Sequence, residues 1–470
     1  LAAAGHARRV ILGDLLWGAD TDADAVAVAR AALRAWGAED GADVDPAHVV
    51  VADPLALGAA GWPDAPPRGF AFVVGNPPFL SPLDTASPRA ADHAGRLQVL
   101  AGSSVAPYAD TATLFLLTAC DLTGPGGRVA MILPESVLAA RDAGPVRREV
   151  RRRAAVVGLW WAGEPVFAAG VQVCAPVLEV GAAQPARCAL WRGRAFEAVA
   201  SAPVDDDRLR TGASWAPLLA RLRGAPDAAL GDGPTLATVA SATAGFREQF
   251  YGVIPYVAEA STRSAGARSA MAPLVTAGLI DPLRSRWGRT EARFGGSRWQ
   301  APVVDMERLQ AGKPSLAGWG AERRVPKVVV ATQTRVIEAA VDEDGSWWPS
   351  VPTIAVTPRS GGPVDLWSLA AVLSAPPVSA WALRHYGGTA LSGDAIKLSA
   401  AQILTIPLPD GSDAWANGAA AARAAHRAGE RGDALAWQAA LADLGAAMCE
   451  AYGAPAEVLA WWSARLPPWR

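Results

Sequence analysis

The first 180 residues alternate between short apolar runs and amphipathic stretches with helical spacing. The apolar runs, which predict β-strands, are VILGDLLWGAD, HVVVADPLAL, FAFVVG, GRVAMILPES and GVQVCAPVLEV. The stretches that predict helices are AVAVARAALRAWG, TATLFLLTACDLT and the first half of AGPVRREVRRRAAVVGLWWAG, whose second half predicts another strand. Apolar strands that alternate with helices are typical of a parallel sheet covered on both faces. We therefore expect an α/β domain over residues 1–180.

The remaining chain predicts three further regions. Residues 181–234 are rich in Ala, Pro, Gly and Asp and predict a connector with one short helix. Residues 235–410 contain several strand-like runs, a hairpin at Asp342–Gly345 and a helix in DLWSLAAVLSA, which together indicate an α+β domain. Residues 411–470 are rich in Ala and predict a helical hairpin as a C-terminal tail.

Three polar residues follow predicted strands of the first domain. Asp20, Asp53 and Asn76 each come directly after an apolar run. In parallel α/β sheets the ligand crevice lies beyond the carboxyl ends of the strands, so we expect these three side chains at one site. The alternative for Asp20 is a helix N-cap, a role that Asp22 could also fill, and the alternative for Asp53 is an ordinary turn residue.

The segment Gly75-Asn76-Pro77-Pro78-Phe79 carries the most specific chemistry. Proline donates no backbone hydrogen bond, so the two prolines must end the strand and expose the residues around them. The Asn76 side-chain oxygen and the Pro77 carbonyl can both accept hydrogen bonds from an amino group, and Phe79 can stack on the ring that bears it. The segment therefore predicts a binding site for a planar ring that carries an amino group.

Composition narrows the class of protein. The 470 residues include four cysteines without metal-ligand spacing, five histidines without a catalytic triad, and a net charge of −2. We see no signal peptide and no apolar stretch suited to cross a bilayer, so we expect a cytoplasmic protein with no metal and no membrane contact. The near-neutral charge argues against a uniformly basic nucleic-acid binder but allows a basic face.

These motifs resemble those of the adenine-specific DNA methyltransferases of restriction-modification systems, the TaqI-like and Eco57I-like group of class I S-adenosylmethionine-dependent enzymes. GADTDADAV is similar to their motif II, VVADPLAL to motif III, VVGNPPF to motif IV, and GPGGRVAMILPES to the strand region after motif V. The resemblance implies a Rossmann-like S-adenosylmethionine methyltransferase sheet, followed by a C-terminal α+β target-recognition domain and a helical tail.

The resemblance also implies roles for individual residues. Asp20 would bind the ribose of S-adenosylmethionine, and Asp53, with Pro54 as an apolar wall, would bind its adenine. The residues that would hold the target base are Asn76, Pro77, Pro78 and Phe79. The segment EPVFAAGVQVCAPVLEV resembles a late hairpin that places a second aromatic against the base, which points to Phe167; the alternative for Phe167 is a plain core residue.

One expected motif does not occur in this sequence. The glycine-rich motif I should precede Asp20 by a strand and a helix, and nothing of that kind lies between Leu1 and Gly18. We expect it upstream of Leu1.

Residues 235–410 resemble the specificity domain of the TaqI-like enzymes in pattern: a strand pair, a helix, a Gly-rich loop and a closing IPLP. Arginines interleaved with aromatics there suit DNA phosphates and guanine edges. The expected DNA contacts are Arg247, Arg286, Arg298 and, in the Gly-rich loop, Lys397; the alternative is a solvated Arg-rich surface. The basic run Arg147–Arg153 is expected to form a solvated helix face.

The implied function is transfer of a methyl group from S-adenosylmethionine to the amino group of a flipped adenine in double-stranded DNA, in a restriction-modification or phage-defence system. A restriction nuclease domain or subunit is a further expected partner. Two alternatives stay open: a catalytically silent DNA-specificity component, and a methyltransferase acting on glutamine or RNA amino groups. The chemistry of Asn76 would also suit the amino group of cytosine.

Overall fold

The computed structural model describes residues 1–79, 111–168, 170–204, 206–262, 270–390, 395–410 and 413–469. The chain forms two compact units, Leu1–Leu222 and Arg223–Arg470. The boundary between the two units lies inside residues 181–234, the connector predicted from the sequence.

Nine strands and seven α-helices of four or more residues are described in the first unit. The strands are β1 (Gly18–Asp20), β2 (Val49–Val51), β3 (Phe70–Gly75), β4 (Thr123–Met131), β5 (Leu133–Pro134), β6 (Ala154–Trp161), β7 (Val173–Val180), β8 (Arg187–Arg192) and β9 (Glu197–Pro203). The helices are α1 (Ala23–Gly37), α2 (Pro54–Leu57), α3 (Thr111–Leu122), α4 (Ser136–Ala139), α5 (Gly144–Arg153), α6 (Asp207–Thr211) and α7 (Ala216–Leu222).

The strands form two sheets. β1 and β2 pair in parallel as a two-stranded sheet. The other seven strands form one sheet in the order β3-β4-β7-β6-β8-β9, with β5 paired to β7. β3 and β4 are parallel, whereas β7 runs antiparallel to both of its long neighbours. The sheet is thus mixed and not fully parallel as predicted, since the short connection from β6 to β7 turns the chain back on itself.

The segment before β1 is helical, not extended as VILGDLLWGAD predicts. Ile11–Leu15 forms a helical turn and only Gly18–Asp20 is strand. Leu12 of this turn packs with Val26 of α1 in one small buried cluster. Burial of Leu12 in this cluster outweighs the strand-like pattern of the segment, and the neighbouring Ile11 is buried as well.

The predicted connector adds two strands to the sheet. In β8, Cys188 and Leu190 are buried while Arg187 and Arg192 are exposed, which is the alternation of a strand with one covered face. β8 pairs in parallel with β6 and antiparallel with β9. The polar composition around this segment concealed the alternation.

The core of the first unit is built around α3. Leu114, Leu116 and Leu117 are fully buried in it against residues of β4 and β6. Each such side chain contributes about 1.5–3 kcal/mol by leaving water. In contrast, two apolar side chains of β3 are solvent-exposed: Phe72 is 68% and Val74 is 77% exposed. The strand β3 is therefore not the buried strand that FAFVVG predicts.

The second unit contains twelve strands and ten α-helices among its described residues. Its strands are β10 (Ala240–Ala244), β11 (Val257–Glu259), β12 (Met271–Val275), β13 (Ile280–Asp281), β14 (Arg284–Ser285), β15 (Ala292–Phe294), β16 (Ser297–Trp299), β17 (Pro302–Asp305), β18 (Lys327–Ala331), β19 (Ala339–Asp342), β20 (Trp348–Pro349) and β21 (Thr353–Pro358). Its helices are α8 (Leu236–Val239), α9 (Arg247–Val253), α10 (Met306–Gly312), α11 (Pro314–Ala321), α12 (Leu366–Leu373), α13 (Pro376–Tyr386), α14 (Ala400–Ile403), α15 (Asp413–Arg431), α16 (Ala434–Ala451) and α17 (Ala456–Ser463).

Two four-stranded sheets organise this unit, in the orders β10-β21-β18-β19 and β11-β17-β12-β20, beside two small hairpins. The hairpin predicted at Asp342–Gly345 does not form. A turn is present there, but β20 pairs with β12 in the other sheet, and not with β19. A buried ion pair between Lys327 and Asp342 instead ties β18 to β19.

Over the described part of the chain, no single helix has the length and apolar composition needed to cross a membrane. The consecutive helices α12 and α13, bent by 55°, meet that test only when they are taken together.

Candidate functional site

The Asn-Pro-Pro-Phe segment begins where β3 leaves the sheet. The Gly75 carbonyl still accepts a hydrogen bond from the Ile132 amide at 2.9 Å, and Gly75 is in register with Met131 of β4. After it, Asn76 and Pro78 are exposed while Pro77 is buried. The buried proline fixes the chain, and the Asn76 side chain is left accessible at the carboxyl end of the strand.

The structure brings Phe79 and Phe167 together. Their ring centroids lie 6.3 Å apart with planes at 80°, an edge-to-face contact. Both rings are half-buried and pack on a cluster that contains Trp160 and Val173. Since Phe167 comes from the loop between β6 and β7, two distant segments of the sequence meet beside Asn76-Pro77 with partly accessible aromatic rings.

Asp20 ends β1 and is exposed. Its Oδ1 accepts a hydrogen bond from the Asp22 amide at 2.9 Å. The N-cap of α1 is Asp22, whose Oδ1 accepts from the Asp24 amide. The capping alternative considered for this pair thus belongs to Asp22, and the Asp20 carboxylate stands at the strand end where a ligand hydroxyl could reach it.

Asp53 is half-buried at the end of β2 and caps α2. Its Oδ1 accepts from the Leu55 amide at 2.9 Å, with Pro54 as the first helical residue. The Ala52 amide donates to the Asp20 carbonyl, so Asp20 and Asp53 lie at the same edge of the β1-β2 sheet. A small cavity of about 200 Å³ is lined by Pro54–Ala59, which directly follow Asp53, and by Thr118, Asp121 and Leu122 of α3.

An aromatic cluster that the sequence did not reveal joins the amino ends of β1, β2 and β3. Trp17 stacks on His48 at 3.5 Å between centroids, and Phe70 lies 5.7 Å from both Trp17 and Trp62. The Trp62 indole donates to the carbonyls of Gly18 and His48, at 3.1 Å each. The three strands that lead to Asp20, Asp53 and Asn76 are therefore held together at their amino ends by this cluster.

A buried carboxylate also lies near the carboxyl end of β4. Glu135 is 3% exposed and accepts a hydrogen bond from the Trp161 indole at 2.6 Å. Sequence reasoning missed it, although a glutamate directly after the strand-ending Leu133-Pro134 is a usable signal.

The cysteines and the possible metal ligands of the described residues bear on whether this chain could use nucleophilic or metal chemistry. Burial raises the pKa of Cys120 to about 12 and that of Cys188 to about 11, so both thiols stay protonated at neutral pH. No group of three or more His, Cys, Asp or Glu side chains in the described ranges is arranged to hold a metal ion. The arrangement around Asn76 offers hydrogen-bond acceptors and aromatic faces.

The arginines predicted to contact DNA differ in their surroundings. Arg298 of β16 is 69% exposed and pairs with Glu291 at 2.7 Å. Arg286 is 11% exposed, pairs with Asp281 at 3.2 Å and donates to the Gly278 carbonyl. Its guanidinium is therefore occupied within the unit.

The other two predicted contacts are only partly described. Arg247 begins α9, but its side chain lies outside the described part of the structure. Lys397 is exposed, directly after the bridge between Thr334 and Ile396, and residues 391–394 of its loop are likewise outside the description.

The basic run of α5 is not uniformly solvated as predicted. Arg147 is 2% exposed and donates to the carbonyls of Val137, Ala140, Gly212 and Ala213. It serves as an internal cross-link of the first unit, because a guanidinium can satisfy several buried carbonyls at once.

No family model and no curated protein matches this sequence. Solved structures do match. The Type IIL restriction-modification enzyme MmeI in complex with DNA aligns over 90% of this chain and 59% of its own, at 13% identity and a TM-score of 0.58. This chain thus spans well under two thirds of the length of MmeI.

Two further matches have TM-scores below 0.5. The DrdV–DNA complex aligns over 89% of this chain and 51% of its own, at 12% identity and a TM-score of 0.47. A nuclease-deletion mutant of the Type ISP restriction-modification enzyme LlaGI, with a DNA substrate mimic, aligns over 89% and 48%, at 10% identity and 0.46. The fold assignment rests on the MmeI structure: this chain has a mixed α/β fold similar to that of a restriction-modification enzyme.

Proposed function

We propose that this chain is the modification part of a restriction-modification or phage-defence enzyme, a methyltransferase that acts on the exocyclic amino group of adenine in double-stranded DNA. The observation that carries the proposal is the exposed Asn76 at the carboxyl end of β3, with Phe79 and Phe167 in ring contact beside it. The similarity to MmeI in complex with DNA supports it at the level of the fold.

The chemistry of such a site depends on hydrogen-bond acceptors. The lone pair of an adenine amino nitrogen is delocalised into the ring, so the nitrogen is a poor nucleophile. The Asn76 side-chain oxygen and the Pro77 carbonyl would accept the two amino hydrogens and draw the nitrogen toward a tetrahedral form. This positions the lone pair and stabilises charge as it develops, with no need for an activated side chain.

The residues at the ends of β1 and β2 fit S-adenosylmethionine. This cofactor, when bound, supplies an electrophilic methyl group. The exposed carboxylate of Asp20 suits the two hydroxyls of a ribose, which need acceptors. Asp53 and Pro54 lie at the same sheet edge, where they would hold the adenine of the cofactor.

The two aromatic rings would receive the target base. An adenine in a duplex cannot reach Asn76 unless it is flipped out of the stack. Phe79 would stack on the flipped base, and Phe167, edge-on to Phe79, would limit where that base can lie. Phosphate contacts from the second unit, with the exposed Arg298 as one candidate, would hold the duplex, and a restriction nuclease domain or subunit would be the functional partner.

The test is transfer of a labelled methyl group from S-adenosylmethionine to mixed-sequence duplex DNA. It is run on residues 1–470 and on the full reading frame that contains them. Asn76→Ala should abolish transfer and leave DNA affinity within about twofold, since it removes an acceptor that acts mainly in the transition state. Asn417→Ala, at an exposed position of α15, is the matched control and should keep full activity.

Transfer retained by Asn76→Ala would contradict the mechanism. DNA binding without transfer by any form would instead favour a catalytically silent specificity component.

A further inference from the structure

Glu135 contacts both ends of the loop that carries Phe167. Its Oε1 accepts from the indole of Trp161, the last residue of β6, at 2.6 Å. Its backbone amide donates at 3.0 Å to the carbonyl of Gln172, the residue before β7. Glu135, which directly follows β5, thus bonds to the chain both where the loop leaves the sheet and where it returns.

The base of this loop is closed in a second way. The Ala162 amide donates to the Val173 carbonyl at 3.2 Å. Between these two residues the chain carries Phe167, whose ring lies edge-on to Phe79. An exposed ion pair of Glu164 with Arg194, at 3.2 Å, also joins the loop to the turn between β8 and β9.

The bond from Trp161 to Glu135 is of a strong kind. Glu135 and Trp161 are 3% and 8% exposed. A hydrogen bond from an indole to a carboxylate in such a buried environment is stronger than one between neutral groups.

We infer that Glu135 is a positioning residue: it fixes the loop between β6 and β7 so that Phe167 faces Phe79. The inference rests on the proposed function for its consequence, since the aromatic pair matters only if it receives a base. The loop geometry itself can be tested without DNA or cofactor.

The first experiment is hydrogen–deuterium exchange, followed by mass spectrometry of peptides that cover residues 162–172. Glu135→Ala and Trp161→Phe should each speed exchange in these peptides about tenfold or more, because they remove a charge-assisted hydrogen bond. Glu135→Gln keeps an acceptor for the indole and should restore most of the protection.

A matched control is available in a tryptophan of the second unit. Trp437 is 2% exposed, and its indole donates to the Pro282 carbonyl at 2.9 Å. Trp437→Phe also loses one buried indole bond but leaves both Glu135 and the cluster around Phe167 untouched. It should not speed exchange in residues 162–172.

Labelled methyl transfer by the full reading frame is then measured for the same variants. Glu135→Ala and Trp161→Phe should lower kcat at least tenfold with little change in KM for DNA, and Glu135→Gln should recover it. Unchanged exchange in the loop, a uniform rise over the whole first unit, or normal turnover despite a loosened loop would each overturn the inference. If the variants exchange faster in the loop but the wild type transfers no methyl group, the positioning role of Glu135 is upheld and the proposed methyltransferase function is contradicted.

Discussion

Asn76 owes its accessibility to its neighbours. Gly75 is still bonded within the sheet, and the buried Pro77 prevents the strand from continuing, so the side chain between them faces outward. This much followed from the sequence, because two prolines after an apolar run have one local outcome. The edge-to-face contact of Phe79 with Phe167 and the bond of Glu135 to Trp161 did not follow in the same way, since they join segments far apart in the chain.

Variants of Asp20 and Asp22, which lie just before α1, should distinguish a role in cofactor binding from a role in helix capping. Asp20→Ala should weaken S-adenosylmethionine binding about 10- to 100-fold, because hydrogen bonds to a charged acceptor are worth about 1.5–3 kcal/mol. Asp22→Ala removes the N-cap of α1 and should cost about 1 kcal/mol of stability with little effect on affinity. Calorimetric titration and thermal unfolding of both variants check this, and equal losses of affinity would refute the ribose role of Asp20.

Because the Cys188 thiol is buried, we expect the free energy of unfolding to depend on pH in the alkaline range. Burial raises its pKa from the ordinary 9.0 to about 11. Between these values the unfolded chain has lost a proton that the folded chain keeps, so the free energy of unfolding falls as pH rises. Cys120 and Cys449 act in the same direction, whereas burial lowers the pKa of Lys327 and acts in the opposite one.

Cys188→Ala should therefore show a shallower fall in the free energy of unfolding between pH 9 and pH 11. The difference from wild type should reach about 1–2 kcal/mol, given a ceiling of about 1.4 kcal/mol per pH unit for one group. Urea unfolding at several pH values measures it, and parallel curves for the two proteins would show that the thiol does not titrate as described.

Elements with strong periodicity were predictable, and those defined by distant partners were not. The strand FAFVVG and the helix-then-strand order of α5 and β6 are found where their patterns place them. The helical turn Ile11–Leu15 was wrongly predicted as strand because its partners in the buried cluster lie further along the chain. The absent hairpin at Asp342–Gly345 has the same cause, since β20 pairs with β12.

The hairpin of β15 and β16 is an element with a specific expected role. Arg293 and Arg298 lie directly opposite each other on its outer face, and the turn uses Gly295 and Gly296 with positive φ. Like charges in such a cross-strand pair repel, and the exposed Glu291 carboxylate that pairs with Arg298 offsets only part of this charge, so a further anion there would be stabilising. We predict that this pair contacts DNA phosphate.

Replacement of both arginines by alanine should weaken DNA binding and reduce the slope of log affinity against log salt by about 2, near 0.9 for each lost contact. Arg286→Ala is the control, because its ion pair with Asp281 is internal. It should lower thermal stability and leave the salt slope unchanged. Fluorescence anisotropy over a range of salt concentrations measures the slopes, and a slope altered only by Arg286→Ala would reverse the assignment.

At the scale of the whole molecule, the chain combines a mixed α/β unit that carries the Asn76 site with a second unit rich in short sheets and helices. A fold similar to that of MmeI extends over 90% of the chain at only 13% identity. The α/β nature of the first unit could be predicted from alternating patterns. The separate β1-β2 sheet, the edge position of β3 and the added strands β8 and β9 could not, because strand pairing depends on contacts remote in sequence.

The central claim is that Asn76 and Pro77 present an amino group for methylation. It is tested most directly by identifying the product: DNA methylated by the full reading frame with labelled S-adenosylmethionine is digested to nucleosides and resolved by mass spectrometry. The account predicts N6-methyldeoxyadenosine, lost in Asn76→Ala. Label recovered as 5-methyldeoxycytidine, or undiminished in Asn76→Ala, would contradict it, since neither outcome involves an amino group held by these two acceptors.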